Sequence, residues 1–152
     1  MSEPISDDRL PSTVLVDADV FFSYLVSDEF SGNSERLLER ADKGVVKLRA
    51  ASEIYDDIIC ALRSDNKGLD TVKELLEDLR KFPHETLPTT LDIASEALAI
   101  YTRFGGPRRL HYFDSFHVAT AKAYELSMVT SDKFILQNSQ ELELITLDLR
   151  SL

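Results

Sequence analysis

The chain has 152 residues, of which 43% are hydrophobic and 29% are charged, a composition typical of one globular domain and unlike that of disordered, collagen-like or membrane-embedded chains. Acidic residues outnumber basic ones by 27 to 17, and the formal net charge is -10. Because such a charge repels phosphate backbones, it excludes nucleic-acid binding by overall attraction, and a nucleic-acid partner would need bound cations or a local basic patch.

We expect one domain preceded by a short leader. Residues 1–11 combine acids and two prolines without hydrophobic periodicity, which predicts a flexible leader, and residues 12–152 form the domain. The sequence has no apolar run long enough to cross a membrane and no signal-peptide pattern. The single cysteine, Cys60, excludes an intrachain disulfide and indicates a buried thiol in a reducing compartment. A cytoplasmic protein is therefore expected.

Short β-rich segments alternate with amphipathic helical segments along the chain. We expect strands over residues 13–17, 45–49, 84–87, 127–130 and 144–147. We expect helices over residues 19–26, from residue 33 or 34 to Gly44, over residues 51–63 and 69–82, from Leu91 to about Gly105, and over residues 114–126. This alternation predicts a three-layer α/β/α fold with a mostly parallel sheet, in which ligands bind beyond the carboxyl ends of the strands.

Four acidic residues fall where such a fold binds its ligands. Asp17 closes the first strand, Glu53 lies in the first turn of the helix after the second strand, Asp114 opens a helix, and Asp132 follows the strand over residues 127–130. Clustered carboxylates repel one another and are stable near neutral pH when a cation neutralises them. Oxygen ligands favour Mg²⁺ or Mn²⁺ over zinc, and such ions assist phosphoryl hydrolysis.

Neighbouring residues leave the composition of this site open. Asp57 lies four residues after Glu53 on the same helical face, so a slip of register would exchange the two. Asp19 either adds a charge to the site or caps its helix. His117, one turn beyond Asp114, either faces the pocket or is buried in the helix packing.

The sequence around these acids resembles a known family. The segments are Val14-Leu-Val-Asp17-Ala-Asp19, the Glu53 of Ala-Ala-Ser-Glu-Ile, the Asp114 of Tyr-Phe-Asp-Ser-Phe-His-Val-Ala-Thr-Ala, and the Asp132 of Val-Thr-Ser-Asp-Lys-Phe. They resemble the four acidic motifs of PIN domains, and their order and spacing resemble those of VapC-type ribonuclease toxins. The resemblance extends from Thr13 to Leu147. Asp19 departs from the pattern, because the family more often has Asn or Ser there.

The resemblance implies an endoribonuclease that depends on Mg²⁺ or Mn²⁺ and cuts RNA, together with a small antitoxin partner. It assigns the catalytic and metal-binding roles to Asp17, Glu53, Asp114 and Asp132. A homodimer is expected, and the apolar stripe over residues 69–82 is either core or a surface for the second copy or the antitoxin. A cluster of arginines either contacts RNA phosphates or forms a solvated loop: Arg103, Arg108 and Arg109.

Two other functions remain compatible with the sequence. The segment from Val14 to Val20 also resembles the nucleophile motif of haloacid-dehalogenase-type phosphatases, in which Asp17 would attack phosphorus and Asp19 would act as acid and base. That class needs a late pair of acids, and the segment from Val129 to Lys133 supplies one. The second alternative is a PIN-like binding module without catalytic activity.

Overall fold

A five-stranded sheet forms the centre of the computed structural model, which describes residues 3–152. The strands are β1 (Thr13–Val16), β2 (Lys47–Ala51), β3 (Glu85–Leu87), β4 (Ser127–Thr130) and β5 (Thr146–Asp148). Their order is β3-β2-β1-β4-β5, and every neighbouring pair is parallel. All five carboxyl ends therefore lie at one edge of the sheet.

Seven helices connect or follow the strands in the described part of the chain. They are α1 (Ala18–Val26), α2 (Ser31–Asp42), α3 (Ile54–Ser64), α4 (Leu69–Asp78), α5 (Leu91–Phe104), α6 (Tyr112–Ala123) and α7 (Lys133–Gln137). Short 3₁₀ turns cover Asp7–Arg9, Leu79–Lys81 and Leu149–Ser151. Within residues 3–152, the helices are too short or too polar to cross a membrane.

Both faces of the sheet are buried, which confirms the three-layer α/β/α prediction. Successive side chains of a strand point to opposite faces. In β1, Val14 and Val16 pack into a core cluster with residues of α1 to α4. Leu15, between them, packs into a second cluster with residues of α5 and α6. The apolar run from Val14 to Val16 in β1 is therefore explained by a parallel strand that is covered on both sides.

The strand order reverses beside β1. After β1 the chain adds β2 and β3 on one side, and it later adds β4 and β5 on the other. In open parallel sheets, such a reversal opens a crevice at the carboxyl ends of the two central strands. Asp17 follows β1 directly, and Asp132 follows β4 by two residues. The topology thus brings these two predicted acids to the same crevice.

Several element boundaries differ from the prediction because strand pairing decides them. β2 runs two residues further than expected, since Arg49, Ala50 and Ala51 pair with β3, and α3 accordingly begins at Ile54. The helix predicted over residues 69–82 ends at Asp78 and continues as a 3₁₀ turn. Its stripe belongs mostly to the core, because Val72 and Leu79 are buried. The short α7 is absent from the sequence prediction.

The structure describes part of the predicted leader, and it corrects the expected burial of Cys60. Residues 3–11 contact the domain at a few points: the Ile5 N–H donates to the Ser151 carbonyl at 2.7 Å, Asp7 pairs with Arg40, and Leu10 is buried. Met1 and Ser2 lie outside the described residues. Cys60 is exposed, because the inward face of α3 presents residues at four-residue spacing, beginning at Ile54, and Cys60 lies off that face.

Candidate functional site

The Asp17 side chain links the carboxyl end of β1 to the carboxyl end of β4. Its side chain caps α1, where Oδ1 accepts a 2.7 Å hydrogen bond from the Ala18 N–H. Its Oδ2 accepts a 2.7 Å hydrogen bond from the hydroxyl of Thr130, the last residue of β4. Asp17 is only 3% exposed. Burial and the charges of Asp19 and Asp114 raise the pKa of Asp17 well above its ordinary value, although the Thr130 hydrogen bond opposes the shift.

Asp19 fixes the segment that leads to Asp132. Its Oδ2 accepts hydrogen bonds from the Ser131 N–H at 2.7 Å and the Ser131 hydroxyl at 2.5 Å. Its Oδ1 is buried and has no hydrogen-bond partner within residues 3–152. Burial raises the pKa of Asp19 to about 6, and the Ser131 hydrogen bonds limit the shift. Asp19 therefore acts within the site chiefly by holding the loop after β4.

Three carboxylates and one imidazole converge at the crevice. Ligand atoms of Asp17, Asp57, Asp114 and His117 all lie within 4.8 Å of one another. Asp114 occupies the first turn of α6, and His117 lies one turn later on the same helix. Asp57 comes from α3, and its Oδ2 lies 2.8 Å from His117 Nε2. Because an ionised carboxylate can only accept, the imidazole Nε2–H is the donor of this hydrogen bond.

Glu53 does not belong to this group; Asp57, four residues later, does. Glu53 precedes the first residue of α3. Its Oε1 accepts hydrogen bonds from the hydroxyls of Ser52 and Thr89, so its side chain links the end of β2 to the segment before α5. Of the two acids that the sequence left open, Asp57 is the one whose ligand atom lies within 4.8 Å of those of Asp17 and Asp114.

Asp132 belongs to a second group that shares Asp114 with the first. Ligand atoms of His111, Asp114 and Asp132 lie within 4.8 Å of one another. Asp132 caps α7, where its Oδ1 accepts a 3.1 Å hydrogen bond from the Ile135 N–H, and burial raises its pKa. His111 Nδ1 lies 3.4 Å from Asp114 Oδ2, and this contact raises the pKa of the imidazole. Sequence reasoning had no signal for His111 beyond its position three residues before Asp114.

The donor set fits a hard divalent cation. Asp114 is 7% exposed, and within residues 3–152 no N–H or O–H donates a hydrogen bond to its carboxylate at normal distance. A buried carboxylate without donors is costly unless a cation neutralises it. Because Asp17 and Asp57 add two more carboxylates within 4.8 Å, the site offers the oxygen ligands that Mg²⁺ and Mn²⁺ prefer.

Exposed basic residues occur in the chain segments next to Asp114 and Asp132. The Arg109 guanidinium lies 5.8 Å from the centre of the Phe134 ring, two residues beyond Asp132. Arg108, in the same loop, is exposed and has a φ of 60°. Lys133 directly follows Asp132 and is exposed. Phosphate groups approaching the carboxylates past these segments would meet cationic side chains.

Comparison with known proteins gives one family and several similar folds. A family model of the PIN domain matches residues 14–138. Among solved structures, one similar chain comes from VapBC2 of Rickettsia felis, bound to a DNA fragment from its promoter. Its sequence identity is 13% and its TM-score is 0.66, and the match covers 90% of this chain and 98% of that chain. For FitAcB from Neisseria gonorrhoeae the identity is 14%, the TM-score 0.61, and the coverage 91% and 99%.

A third similar structure is VapBC-5 from Mycobacterium tuberculosis, a member of the VapBC family of toxin–antitoxin systems. Its identity is 14% and its TM-score 0.56, with 91% of this chain and 99% of that chain covered. No curated protein sequence matches the chain. At these identities, the structural similarity concerns the fold.

Proposed function

Because this chain belongs to the PIN domain family, we propose that it is an endoribonuclease that hydrolyses RNA phosphodiester bonds with Mg²⁺ or Mn²⁺ as cofactor. PIN domains are generally nucleases, and the sheet edge carries a buried acidic cluster. We further propose that the protein is the toxin-like component of a toxin–antitoxin pair, which the similar folds of VapBC2 and FitAcB support.

The observation that carries the proposal is the environment of Asp114. This carboxylate is buried without a hydrogen-bond donor among the described residues and lies within 4.8 Å of the ligand atoms of Asp17 and Asp57. A carboxylate with a structural role is held by donors, as Asp19 Oδ2 is by the N–H and hydroxyl of Ser131. A divalent cation removes the repulsion among the three carboxylates, which is why we assign them to metal binding.

The proposed metal ligands are Asp17, Asp57 and Asp114, with Asp132 completing the acidic site. A divalent ion bound there would polarise the phosphodiester and lower the pKa of the attacking water. Thr130 and His117 hold Asp17 and Asp57 in place through their hydrogen bonds. The family resemblance assigned the second motif to Glu53; we propose Asp57 in that role, because Glu53 is held by Ser52 and Thr89.

RNA is the proposed substrate because exposed basic residues can attract phosphates despite the net charge of -10. Arg108, Arg109 and Lys133 lie in the segments that flank Asp114 and Asp132. Guanidinium groups contact phosphate oxygens through paired hydrogen bonds, so they fix the backbone without reading the base sequence. The metal and these residues together would overcome the repulsion between the acidic protein and its substrate.

The partners are proposals as well. A small antitoxin would cover the site, and a second copy of the chain would form a homodimer. Leu91 and Leu98 are 85% and 60% exposed on α5, seven residues apart on one side of the helix. These side chains are the candidates for a covered surface. We place the protein in the cytoplasm, where RNA is available and Cys60 stays reduced.

The decisive experiment incubates the protein with labelled single-stranded and structured RNAs in Mn²⁺, Mg²⁺ or EDTA. The test variants are Asp114→Asn and Asp17→Asn, and the matched control is Asp56→Asn, which changes an exposed acid of α3. We expect cleavage by the wild-type protein and by the control only when metal is present. Equal cleavage by Asp114→Asn and the wild-type protein would overturn the assignment of the site.

The same samples separate the two alternative functions. Metal-dependent hydrolysis of a phosphomonoester with a covalent phosphate on Asp17 would favour the phosphatase. No cleavage in either metal, together with no divalent-ion binding by calorimetry, would favour a PIN-like binding module.

A further inference from the structure

Four aromatic side chains cluster where α5 ends and α6 begins, at the start of the helix that carries Asp114. The centre of the Tyr112 ring lies 5.7 Å from that of Tyr101 and 5.3 Å from that of Phe116. The ring of Phe113 lies 5.8 Å away. We propose that this aromatic cluster is a stacking platform for an unpaired base of an RNA strand whose backbone reaches the acidic site. The proposal rests on the proposed nuclease function and specifies its substrate as single-stranded RNA.

Tyr112 is the exposed member of the aromatic cluster. The residue is 50% exposed, whereas its three aromatic neighbours are half-buried: Tyr101, Phe113 and Phe116. Their rings meet the Tyr112 ring at angles of 83°, 70° and 60°, so none of the three stacks flat on it. A flat, offset arrangement is the one that a nucleobase adopts on an aromatic side chain. The exposed part of Tyr112 can therefore receive a base.

Tyr101 gives the platform a fixed support from α5. A β-carbon on Gly105 would lie only 2.5 Å from Tyr101 Cδ2, so glycine at this position lets the tyrosine ring lie against the loop backbone. The Gly106 N–H donates to the Leu110 carbonyl, and the Leu110 N–H donates to the Phe104 carbonyl, both at 3.2 Å. These hydrogen bonds close the loop between the two tyrosines. A platform that is ordered in advance loses less entropy when a base binds.

The chain segment around the aromatic cluster is basic although the protein is acidic. From Ala97 to Phe113 the sequence has three arginines and no Asp or Glu, whereas the whole chain has 27 acidic and 17 basic residues. Arg108 and Arg109 lie in the loop between the two tyrosines, and both are exposed. Proteins bind single strands by combining cations that contact phosphates with aromatic rings that stack bases. In a double helix the bases stack on one another and leave no free face for the platform.

The platform lies at the amino end of α6, as Asp114 does. Helical side chains tilt toward the amino end, so Tyr112 projects toward the carboxyl edge of the sheet, where α6 begins. Its neighbour His111 contacts Asp114, with 3.4 Å between Nδ1 and Oδ2. Tyr112 and Asp114 leave the first turn on different sides of the helix, because two residues separate them. The stacked base therefore belongs to a nucleotide that flanks the scissile phosphate.

A second copy of the chain would be the alternative occupant of this exposed surface. In a twofold-symmetric dimer, the same patch of each copy meets its counterpart. Contact through Tyr112 would then bring Arg108 and Arg109 of the two copies close together, and like charges across an interface oppose association. Phosphate groups neutralise these cations instead. The charge pattern therefore favours RNA over self-association.

The test measures base stacking in the full chain with Asp114→Asn as background, in which we expect the RNA to stay intact. Single-stranded RNAs carry 2-aminopurine at successive positions, because stacking on an aromatic ring quenches its fluorescence. The variants are Tyr112→Leu and Tyr112→Phe, and the matched control is Tyr124→Leu. Tyr124 is 39% exposed at the opposite end of α6. In Tyr112→Leu the quenching should disappear and the RNA affinity should fall at least about fivefold, whereas Tyr112→Phe and the control should keep both.

Cleavage kinetics give a second readout in the active protein. Tyr112→Leu should raise KM for single-stranded RNA about fivefold and leave kcat within about twofold, because the platform binds a nucleotide outside the reacting groups. Duplex RNA of the same sequence should bind equally to the wild-type protein and to Tyr112→Leu, since its bases are not free to stack on the protein.

The outcomes separate this inference from the nuclease proposal. Undiminished quenching and affinity in Tyr112→Leu, with metal-dependent cleavage by the wild-type protein, would overturn the stacking platform and leave the nuclease proposal intact. A change confined to the oligomeric state, measured by sedimentation, would do the same and assign the aromatic cluster to a second copy. A wild-type protein that neither binds nor cleaves RNA would overturn both proposals. Circular dichroism checks the fold of Tyr112→Leu, and Tyr112→Phe tests the same position with the ring retained.

Discussion

His117 of α6 and Asp57 of α3 meet through a 2.8 Å hydrogen bond although 60 residues separate them in the chain. The imidazole is fully buried, and its Nδ1 has no partner within the described residues. The Nε2–H donates to the Asp57 carboxylate, so the pair fixes the direction of that carboxylate.

Separate substitutions of Asp57 and Glu53 test which of the two acids completes the site. Asp57→Asn removes a proposed metal ligand, and we expect RNA cleavage to fall by roughly 100-fold and Mn²⁺ affinity to fall with it. Glu53→Gln keeps the oxygen that accepts from Ser52 and Thr89, so its activity should stay within about threefold of wild type. Initial cleavage rates and calorimetry measure both effects. The opposite ranking of the two variants would restore Glu53 to the site.

Removal of the buried imidazole should affect both stability and metal binding. His117→Ala leaves a cavity and an unpaired carboxylate, and we expect the free energy of unfolding to fall by about 2–4 kcal/mol. His117→Asn retains a donor and should lose less. Urea denaturation measures the stability, and Mn²⁺ titration of the folded protein should show about tenfold weaker binding in His117→Asn. Wild-type Mn²⁺ affinity in that variant would show that His117 serves packing alone.

The metal-free protein should become less stable as the pH rises from about 4 to about 6. The pKa of Asp19 is about 6 in the folded protein, above its ordinary value of 3.8, so the folded state binds the proton more tightly than the unfolded chain. Below about pH 4 the Asp19 carboxyl is protonated in both the folded and the unfolded state, so it does not change the stability. Above about pH 6 it is ionised in both states, and burial of the charge lowers the free energy of unfolding by about 2–3 kcal/mol. The raised pKa of Asp17 acts in the same direction.

Thermal denaturation in EDTA at pH values near 5 and 7.5 measures this effect, with Asp19→Asn as the comparison. We expect the wild-type melting temperature to be lower at the higher pH and the variant to show a smaller difference. Mn²⁺ should raise the melting temperature more at the higher pH, because the carboxylates are ionised there. A wild-type protein that is more stable at the higher pH in EDTA would contradict this account.

Arg108 combines an unfavourable backbone conformation with an exposed cationic side chain. Its φ of 60° lies in the left-handed region, which glycine adopts freely and other residues adopt at a cost. We expect Arg108→Gly to raise the free energy of unfolding by about 0.5–1 kcal/mol and to weaken RNA binding. Arg108→Ala should weaken RNA binding without the gain in stability.

Filter binding with Asp114→Asn as the common background measures the RNA affinity of both Arg108 variants without cleavage. In each variant, the slope of the logarithm of affinity against the logarithm of salt concentration should decrease by about one, which corresponds to one fewer released counterion. Unaltered RNA binding in both variants would show that the Arg108 side chain makes no phosphate contact.

Much of the architecture was predictable from local patterns. The strand over residues 127–130 and the helix ending near Gly105 were predicted almost residue by residue, since β-rich runs and helical spacing are local properties. Asp17 and Asp114 lie close together as expected, because β1 ends, and α6 begins, at the carboxyl edge of the sheet. The packing of Leu10 was missed, because its contacts come from distant parts of the chain.

The sequence by itself determined the α/β/α architecture and the edge at which the acids gather, because hydrophobic periodicity and strand-end carboxylates are local features of the chain. Only the tertiary structure decided that Asp57, and not Glu53, places a ligand atom within 4.8 Å of those of Asp17 and Asp114. The two acids share a helical face, but four residues separate them by about 6 Å along the helix axis. The level of α3 depends on where β2 ends, and pairing with the distant β3 sets that point.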